Sequence, residues 1–273
     1  MDRTLNWVAN KWYDQKEGKV NTGGLKILLF DIETAPNLAY VWEKYEQDVI
    51  AFEKERYMLS FAYMWLNDEK LQVRALPDYK LYKKDKTDDF ALASELWRLF
   101  DEADVIVAHN GNRFDIKMTN AAFLRHGMKP PSPYKTVDTL LVARNKFKLN
   151  SNKLDDLGEL LGLGRKVEHG GFKLWLGCLT GDKKSWKLMK DYNGQDVVLL
   201  ERVYLKLRPW MTNHPNLNLL KGVSCCPTCQ SNKIHSRGFG YTKTTKYNRY
   251  QCQSCGGWFR GKNEPKELDE VIR

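Results

Sequence analysis

The sequence predicts an α/β protein, with a mixed, mainly five-stranded sheet flanked by helices and a small cysteine-rich module after it. The first observation behind this prediction is that short apolar runs, typical of buried strands, alternate with longer segments whose apolar residues recur at helical spacing. The second is a pair of Cys-x-x-Cys motifs near the C-terminal end. Together they indicate a large core followed by a metal-binding appendage.

The length of the chain fits the same division into a large core and a small module. Its 273 residues are enough for one core of typical size and a second, smaller module. We predict an N-terminal extension, a core domain, a linker, and a C-terminal module with its tail, at residues 1–24, 25–210, 211–224 and 225–273. The core is long enough to fold unaided.

The first predicted strand, in the run LKILLFDIET, ends in two acids, Asp31 and Glu33. Side chains alternate along a strand, so both acids point to one face and Ile32 points to the other. Two ionised carboxylates together in an apolar sheet are costly because of desolvation and mutual repulsion. A divalent cation removes both costs, so the pair is predicted to bind metal.

Two further strands are predicted after this pair, at residues 61–67 and 70–77, and then a helix at residues 88–102. A strand at residues 105–108 and a helix at residues 114–126 follow.

The polar turn before the last of these helices reads HNGNRFD and ends at Asp115. An aspartate in a first helical turn either binds metal or satisfies the unpaired amides of the helix. Asn110 and Asn112 are predicted to shape the turn, because asparagine tolerates left-handed backbone conformations. Neither asparagine is assigned to chemistry.

A third acidic motif lies on a predicted helix that runs from residue 185 to residue 207. Tyr192 and Asp196 are four positions apart and therefore share a face of this helix. Alone, such a pair is better explained by a buried tyrosine beside a surface aspartate. Gly194, between them, is a poor helix former and favours close approach of another backbone or of a substrate.

The other acids near apolar runs are interpreted as structural. Asp138 is placed at a turn or a helix start, and Asp155 with Asp156 at the opening turn of a short helix. The basic segment at residues 164–175 either contacts a phosphate backbone or is a solvated loop; its cations are Arg165, Lys166 and Lys173.

In this order and context, the three motifs resemble those of the DEDD 3′→5′ exonucleases of the RNase H-like superfamily, which include polymerase proofreading domains. The resemblance covers residues 25–210 and rests on Asp31, Glu33, Asp115, Tyr192 and Asp196. A tyrosine four residues before the last acid marks the DEDDy branch of this family, and the spacing of Tyr192 and Asp196 resembles that pattern. The histidine branch would have His where this chain has Asp191.

The resemblance implies an RNase H-like fold and two-metal hydrolysis of phosphodiester bonds at 3′ ends. It implies that Asp31, Glu33 and Asp196 hold the ion that activates the attacking water. Asp31 would also bridge to a second ion, supported by Asp115, and Tyr192 would orient the nucleophile. Magnesium or manganese suits these oxygen ligands, whereas calcium is expected to support catalysis poorly.

The substrate class stays open at this point. We favour DNA over RNA, although an RNA exonuclease would use the same acids, because they do not inspect the 2′-hydroxyl. A second alternative is a non-catalytic protein that keeps the nuclease scaffold and acts by binding nucleic acid or inhibiting. The presence of every expected ligand favours the enzyme.

The spacing of the C-terminal cysteines predicts a zinc ribbon. Four thiolates satisfy one tetrahedral zinc, whose binding supplies folding energy to a module without a large core. The predicted ligands are Cys226, Cys229, Cys252 and Cys255. Cys225 creates an ambiguity of register, and Cys178 is isolated in the core. Disulfides are the alternative, but the N-terminus shows no secretory pattern and the paired motifs favour metal in a reducing compartment.

The C-terminal module also carries a basic and aromatic composition. No acid occurs from residue 225 to residue 262, where the cations are Lys233, Arg237, Lys243, Lys246, Arg249, Arg260 and Lys262. The interleaved aromatics are Phe239, Tyr241, Tyr247, Tyr250, Trp258 and Phe259. This composition suits single-stranded nucleic acid, although aromatics also cover a small metal site and a protein partner is the alternative.

The formal net charge of +10 fits approach to a polyanion. No apolar run approaches the roughly 20 residues that span a bilayer. We therefore predict a cytoplasmic monomer without membrane contact.

Overall fold

The computed structural model describes residues 24–45, 48–68, 70–166, 168, 170–220, 225–243 and 245–261. The C-terminal tail and almost all of the predicted N-terminal extension lie outside these ranges.

A five-stranded mixed sheet forms the core, as predicted. Its strands are β1 (Ile27–Thr34), β4 (Met58–Trp65), β5 (Gln72–Ala75), β6 (Val105–Ala108) and β7 (Lys135–Asp138). They are arranged in the order β5-β4-β1-β6-β7. Strand β1 pairs antiparallel with β4 and parallel with β6, so the strand that carries the first two acids is the central one.

Helices flank this sheet. They are α1 (Phe90–Glu102), α2 (Asp115–Arg125), α3 (Thr139–Lys146), α4 (Leu154–Leu160), α5 (Phe172–Thr180) and α6 (Lys183–Leu207). Helix α6 begins two residues earlier than expected because the side chain of Asp182 accepts a hydrogen bond from the Ser185 amide at 2.8 Å and caps the helix. In the described ranges, no helix combines the length and the apolar character needed to cross a membrane.

The alternation of side chains along β1 builds a core on each side of the sheet. Leu28 and Phe30 point to the side covered by α1, where Phe30 meets Phe100 edge to face at 5.0 Å. Ile27 and Leu29 point to the side covered by much of α6. Asp31 and Glu33 follow Leu29 at two-residue steps and therefore face α6.

The predicted meander after β1 is present in β4 and β5, which pair antiparallel. A hairpin that was not expected is inserted before it, formed by β2 (Leu38–Tyr40) and β3 (Ala51–Lys54). Its side chains are largely exposed, with 82% of both Trp42 and Tyr45 accessible. Apolar residues in this segment do not mark a core position, which is why periodicity did not reveal the hairpin.

The C-terminal module is a three-stranded antiparallel sheet in the order β10-β9-β8. Its strands are β8 (Ile234–Tyr241), β9 (Lys246–Cys252) and β10 (Trp258–Arg260). Within the predicted linker, a short 3-10 helix at Leu217–Leu220 packs on the module through a hydrogen bond from the Leu217 amide to the Pro227 carbonyl at 2.8 Å.

Gly158 in α4 has no space for a side chain. A Cβ atom there would lie 2.5 Å from the Gly164 carbonyl oxygen and 2.8 Å from Leu199 Cδ1. We expect Gly158→Ala to lower the free energy of unfolding by about 1–3 kcal/mol, because overpacking forces the backbone apart. Denaturant unfolding measures this. The matched control is Gly170→Ala, where the nearest described atom is Lys173 Cβ at 3.9 Å; equal losses in both variants would contradict the expectation.

Candidate functional site

Three carboxylates from two distant parts of the chain meet beside the central strand. Asp31 and Glu33 come from β1 and Asp196 comes from α6, and one oxygen of each lies within 4.8 Å of the others. Asp196 is almost fully buried, with 1% of its surface accessible. The structure thus brings these three predicted site residues into one acidic pocket.

Asn193 fixes the position of Asp31 in this pocket. The Asn193 side-chain amide donates to the Asp31 carboxylate at 2.7 Å and receives a hydrogen bond from the Ser60 hydroxyl at 3.1 Å. All of Asn193 is buried. Sequence reasoning missed this residue, although a polar residue on the apolar face of α6, next to Tyr192, was an available signal.

Gly194 lets α6 pack closely on the sheet. A Cβ atom at this position would lie 3.1 Å from the side chains of both Leu71 and Val73. The atoms that approach Gly194 belong to side chains of the β5 region, whereas the sequence suggested another backbone or a substrate.

Asp115 approaches the pocket from the start of α2. Its carboxylate accepts a hydrogen bond from the Ile32 amide of β1 at 3.3 Å, and it is 97% buried. It lies outside the group of three acids that share the 4.8 Å distance, but its charge raises the pKa of Asp31. Asp115 thus stands next to the three acids and is tied to the strand that carries two of them.

Asp138 organises the turn that precedes Asp115. Its carboxylate accepts hydrogen bonds from the amides of Asn110 at 3.0 Å and Asn112 at 3.2 Å, and it caps α3 through Leu140 at 3.0 Å. Asn110 has a φ of 67°, in the left-handed region. The structural interpretation of Asp138 and of the two asparagines agrees with these contacts.

Lys166 places a positive charge among the acids. Its ammonium group lies 2.5 Å from the Asp196 carboxylate and 3.4 Å from the Tyr192 hydroxyl. The Asp155 carboxylate holds the backbone amide of Lys166 at 2.7 Å, and Arg165 pairs with Asp155 at 3.2 Å. Of the two sequence interpretations of this segment, a solvated loop does not describe Lys166, which faces the acidic pocket.

The pKa values of the acids show that the positive charge in the pocket does not balance the negative charge of the carboxylates. Burial raises the pKa of Asp31 well above its ordinary value, and the charges of Asp115 and Glu33 raise it further. Burial and then Asp196 raise the pKa of Glu33 to about 8. Burial also raises the pKa of Asp115 to about 7. The positive charge of Lys166 lowers all three pKa values, but the negative charge of the acids still exceeds it.

The donor set fits a hard divalent cation. Converging carboxylate oxygens are the ligands that magnesium and manganese prefer, and a cation would offset both the burial and the repulsion that raise these pKa values. Asp31, Glu33 and Asp196 are the residues placed to share one ion.

Tyr192 lines the same pocket. Its ring packs edge to face against Trp175, with centroids 6.3 Å apart, and the Lys166 ammonium lies 5.3 Å from its ring centre. Burial, and then the charge of Asp196, raises the pKa of the Tyr192 phenol. The phenol therefore keeps its proton at neutral pH and can donate a hydrogen bond.

The four predicted zinc ligands also meet. The sulfurs of Cys226, Cys229, Cys252 and Cys255 all lie within 4.8 Å of one another. The Cys226 and Cys255 sulfurs are 3.7 Å apart, and the Cys229 and Cys252 sulfurs are 3.6 Å apart. A tetrahedral zinc with Zn–S bonds of about 2.3 Å places sulfurs about 3.8 Å apart. The cluster therefore fits a zinc ribbon, and no cysteine of the described residues forms a disulfide.

The other two cysteines, Cys178 and Cys225, lie outside this cluster. The Cys225 thiol donates to the Asn218 side-chain oxygen at 2.7 Å, and Cys178 is buried in α5. The register that uses Cys226 is the one that the structure shows.

Comparisons with known proteins agree with the fold. The family model described as RNase_H superfamily matches residues 28–208. Among solved structures, the chain is similar to the family B DNA polymerase from the hyperthermophilic archaeon Pyrobaculum calidifontis, with 20% identity and a TM-score of 0.51. This similarity covers 68% of the chain but only 25% of the polymerase. No curated protein matches the chain.

The raised pKa values predict how stability depends on pH. Without a divalent cation, Glu33 and Asp115 bind protons more tightly in the folded protein than in the unfolded chain. The free energy of unfolding should therefore fall as pH rises from about 5 to about 8. Added magnesium should raise the melting temperature more at about pH 8 than at about pH 6. Thermal unfolding of zinc-loaded protein measures both.

The control for this experiment is Glu33→Gln, which has no carboxyl group to ionise at that position. Its stability should fall less steeply with pH than that of the unchanged protein. An identical slope in the two proteins would contradict the assignment of the titration to this pocket.

Zinc content tests the cysteine register. We expect about one zinc per chain in the purified protein, and its loss in Cys229→Ser and Cys252→Ser, because three sulfurs leave the tetrahedron incomplete. Elemental analysis gives the ratio. Cys225→Ser is the matched control and should keep the metal; zinc loss there would overturn the register.

Proposed function

Because the chain belongs to the RNase H superfamily, we propose that it is a divalent-metal-dependent 3′→5′ exonuclease that hydrolyses phosphodiester bonds at nucleic-acid 3′ ends. The observation that carries this proposal is the convergence of Asp31, Glu33 and Asp196 within 4.8 Å, in an order along the chain that resembles the DEDD exonucleases. The position of Asp115 at the start of α2, against β1, supports it.

The acids are proposed to hold two magnesium or manganese ions. Asp31, Glu33 and Asp196 would hold one, and Asp31 with Asp115 would hold the other. When bound, such ions lower the pKa of an attacking water and stabilise charge on the leaving oxygen. Asn193 keeps Asp31 in the orientation that this role requires, through its hydrogen bond at 2.7 Å.

Tyr192 and Lys166 complete the proposed site. The protonated phenol of Tyr192 can donate to the attacking water or to a phosphate oxygen, and thereby orient it. Burial lowers the pKa of the Lys166 ammonium, but the charges of Asp196, Tyr192 and Asp31, with the hydrogen bond to Asp196, together outweigh burial and raise it. Lys166 therefore stays charged beside the place where a phosphate would enter.

DNA is the proposed substrate. The similar structure is that of a DNA polymerase, which supports DNA over RNA. The C-terminal module is proposed to hold one structural zinc through its four clustered cysteines.

Removal of a metal ligand tests the chemistry. Asp31→Ala and Asp196→Ala should lower cleavage by roughly 10³-fold, equivalent to about 4 kcal/mol of barrier, because the charge that stabilises the transition state is lost. The assay uses single- and double-stranded DNA and RNA, labelled at either end, with magnesium. The 5′-labelled strand should shorten progressively, while the 3′-labelled strand should release its label at once.

The matched control is Asp191→Ala, an exposed acid on α6 next to Tyr192. It should keep full activity. Cleavage by Asp31→Ala at the rate of the unchanged protein, or internal cuts in place of a ladder from the 3′ end, would refute the proposal. Binding of all substrates without cleavage by the unchanged protein would indicate the non-catalytic alternative.

Tyr192→Phe separates orientation from metal binding. Loss of one neutral hydrogen bond should slow turnover by about tenfold, with substrate affinity unchanged. Single-turnover kinetics measure the rate. A loss as large as that of Asp31→Ala would mean that Tyr192 does more than orient.

A further inference from the structure

The sheet of the C-terminal module has two faces of different character. Opposed residues on paired strands share a face, so Arg260 lies beside Arg249, and Trp258 beside Gln251. Arg237 joins the same side, since its guanidinium donates to the Gln251 side chain at 3.1 Å. We call this side the arginine face; its members are Arg237, Tyr247, Arg249, Trp258 and Arg260.

On the opposite face, some aromatic rings pack against other side chains. Tyr250 stacks on Phe259, with centroids 5.6 Å apart, and both are only partly accessible. The Lys246 ammonium covers the Phe239 ring at 3.8 Å. Tyr241 on this face is 70% exposed, so the two faces differ in charge rather than in exposed rings: this face carries Lys246 where the other carries three arginines.

The arginine face carries uncompensated positive charge. Arg237, Arg249 and Arg260 are exposed, and in the described part of the chain none of them forms an ion pair. The sequence has no acid from residue 225 to residue 262 that could neutralise them. Like charges directly opposite on neighbouring strands destabilise a sheet, and Arg249 faces Arg260 in that way. An anionic ligand would remove this repulsion.

Aromatic surface lies between these charges. Trp258 is 56% exposed, with the Arg249 guanidinium 5.8 Å from its ring centre, and Arg260 is 5.4 Å from the ring of Tyr247. Exposed rings bind bases by stacking, which requires bases that are not already stacked in a duplex. Alternating cations and rings on one surface match the alternating phosphates and bases of a single strand.

From the charge and the rings together, we infer that the arginine face is a binding site for single-stranded nucleic acid. A base stacks on Trp258, and phosphates pair with Arg249, Arg260 and Arg237. The inference rests on the proposed function for the identity of this strand as the substrate, but the binding itself needs no hydrolysis. The module thereby captures the strand whose end the acidic pocket cleaves.

The test is binding by the full-length, zinc-loaded protein carrying Asp31→Ala, so that the probe is not cut. The probes are fluorescent oligothymidylate and oligouridylate of about 20 nucleotides and a blunt DNA duplex. Fluorescence anisotropy over a series of salt concentrations gives the affinity and its salt dependence. Tighter binding of either single strand than of the duplex supports the inference; preference for the duplex overturns it.

Two variants separate charge from stacking. Arg249→Gln with Arg260→Gln should reduce the slope of log affinity against log salt by about 1.4, because each phosphate contact contributes about 0.7 for single strands. Trp258→Ala should weaken binding about fivefold to 150-fold, the cost of one lost base stack, and leave the slope unchanged. Zinc content and melting temperature show that each variant keeps its fold.

The matched control is Lys246→Gln, which removes a positive charge from the opposite face. It should change neither the affinity nor the slope. An effect equal to half of that of the double arginine variant would show that net charge, not this face, binds the strand. Unchanged binding in both arginine-face variants would also overturn the inference and indicate a protein partner. Because the protein used does not cleave, failure of the nuclease proposal leaves these results unaffected.

Discussion

Repulsion among closely placed carboxylates, one buried and two partly buried, is the constraint that the core has to accommodate. Asp31, Glu33 and Asp196 lie closer together than their charges favour, and burial makes their ionisation more costly still. The fold tolerates this cost because α6 packs closely on β1 and because Lys166 supplies one positive charge. Hydrogen bonds from Asn193 then fix where the negative charge is held.

Much of the core could be predicted because its signals are local. The apolar run of β1 and the two-residue alternation of Asp31 and Glu33 follow from strand geometry alone, and the shared face of Tyr192 and Asp196 follows from helix geometry. The approach of these elements to one another is not local. It was inferred from the resemblance to a known family, and the structure agrees with the predicted fold.

Other contacts could not be predicted because they depend on packing between distant segments. Lys166 belongs to a basic loop whose composition fits solvent as well as a site, and only the placement of α6 brings it to Asp196. Asn193 lies on the apolar face of α6, but its position in the sequence does not show that its partner is Asp31. The β2–β3 hairpin was missed because its apolar residues, such as Trp42, are exposed and do not follow the alternation of a strand with one buried face.

The buried carboxylate of Asp138 joins two segments that are separate in sequence. It binds the amides of the turn at Asn110 and Asn112 and also the first amides of α3. Neither segment can open alone without leaving a buried charge short of donors, so turn and helix should open as one cooperative unit. Because this turn leads into Asp115, helix α3 helps to hold Asp115 in place although it contributes no ligand to the acidic pocket.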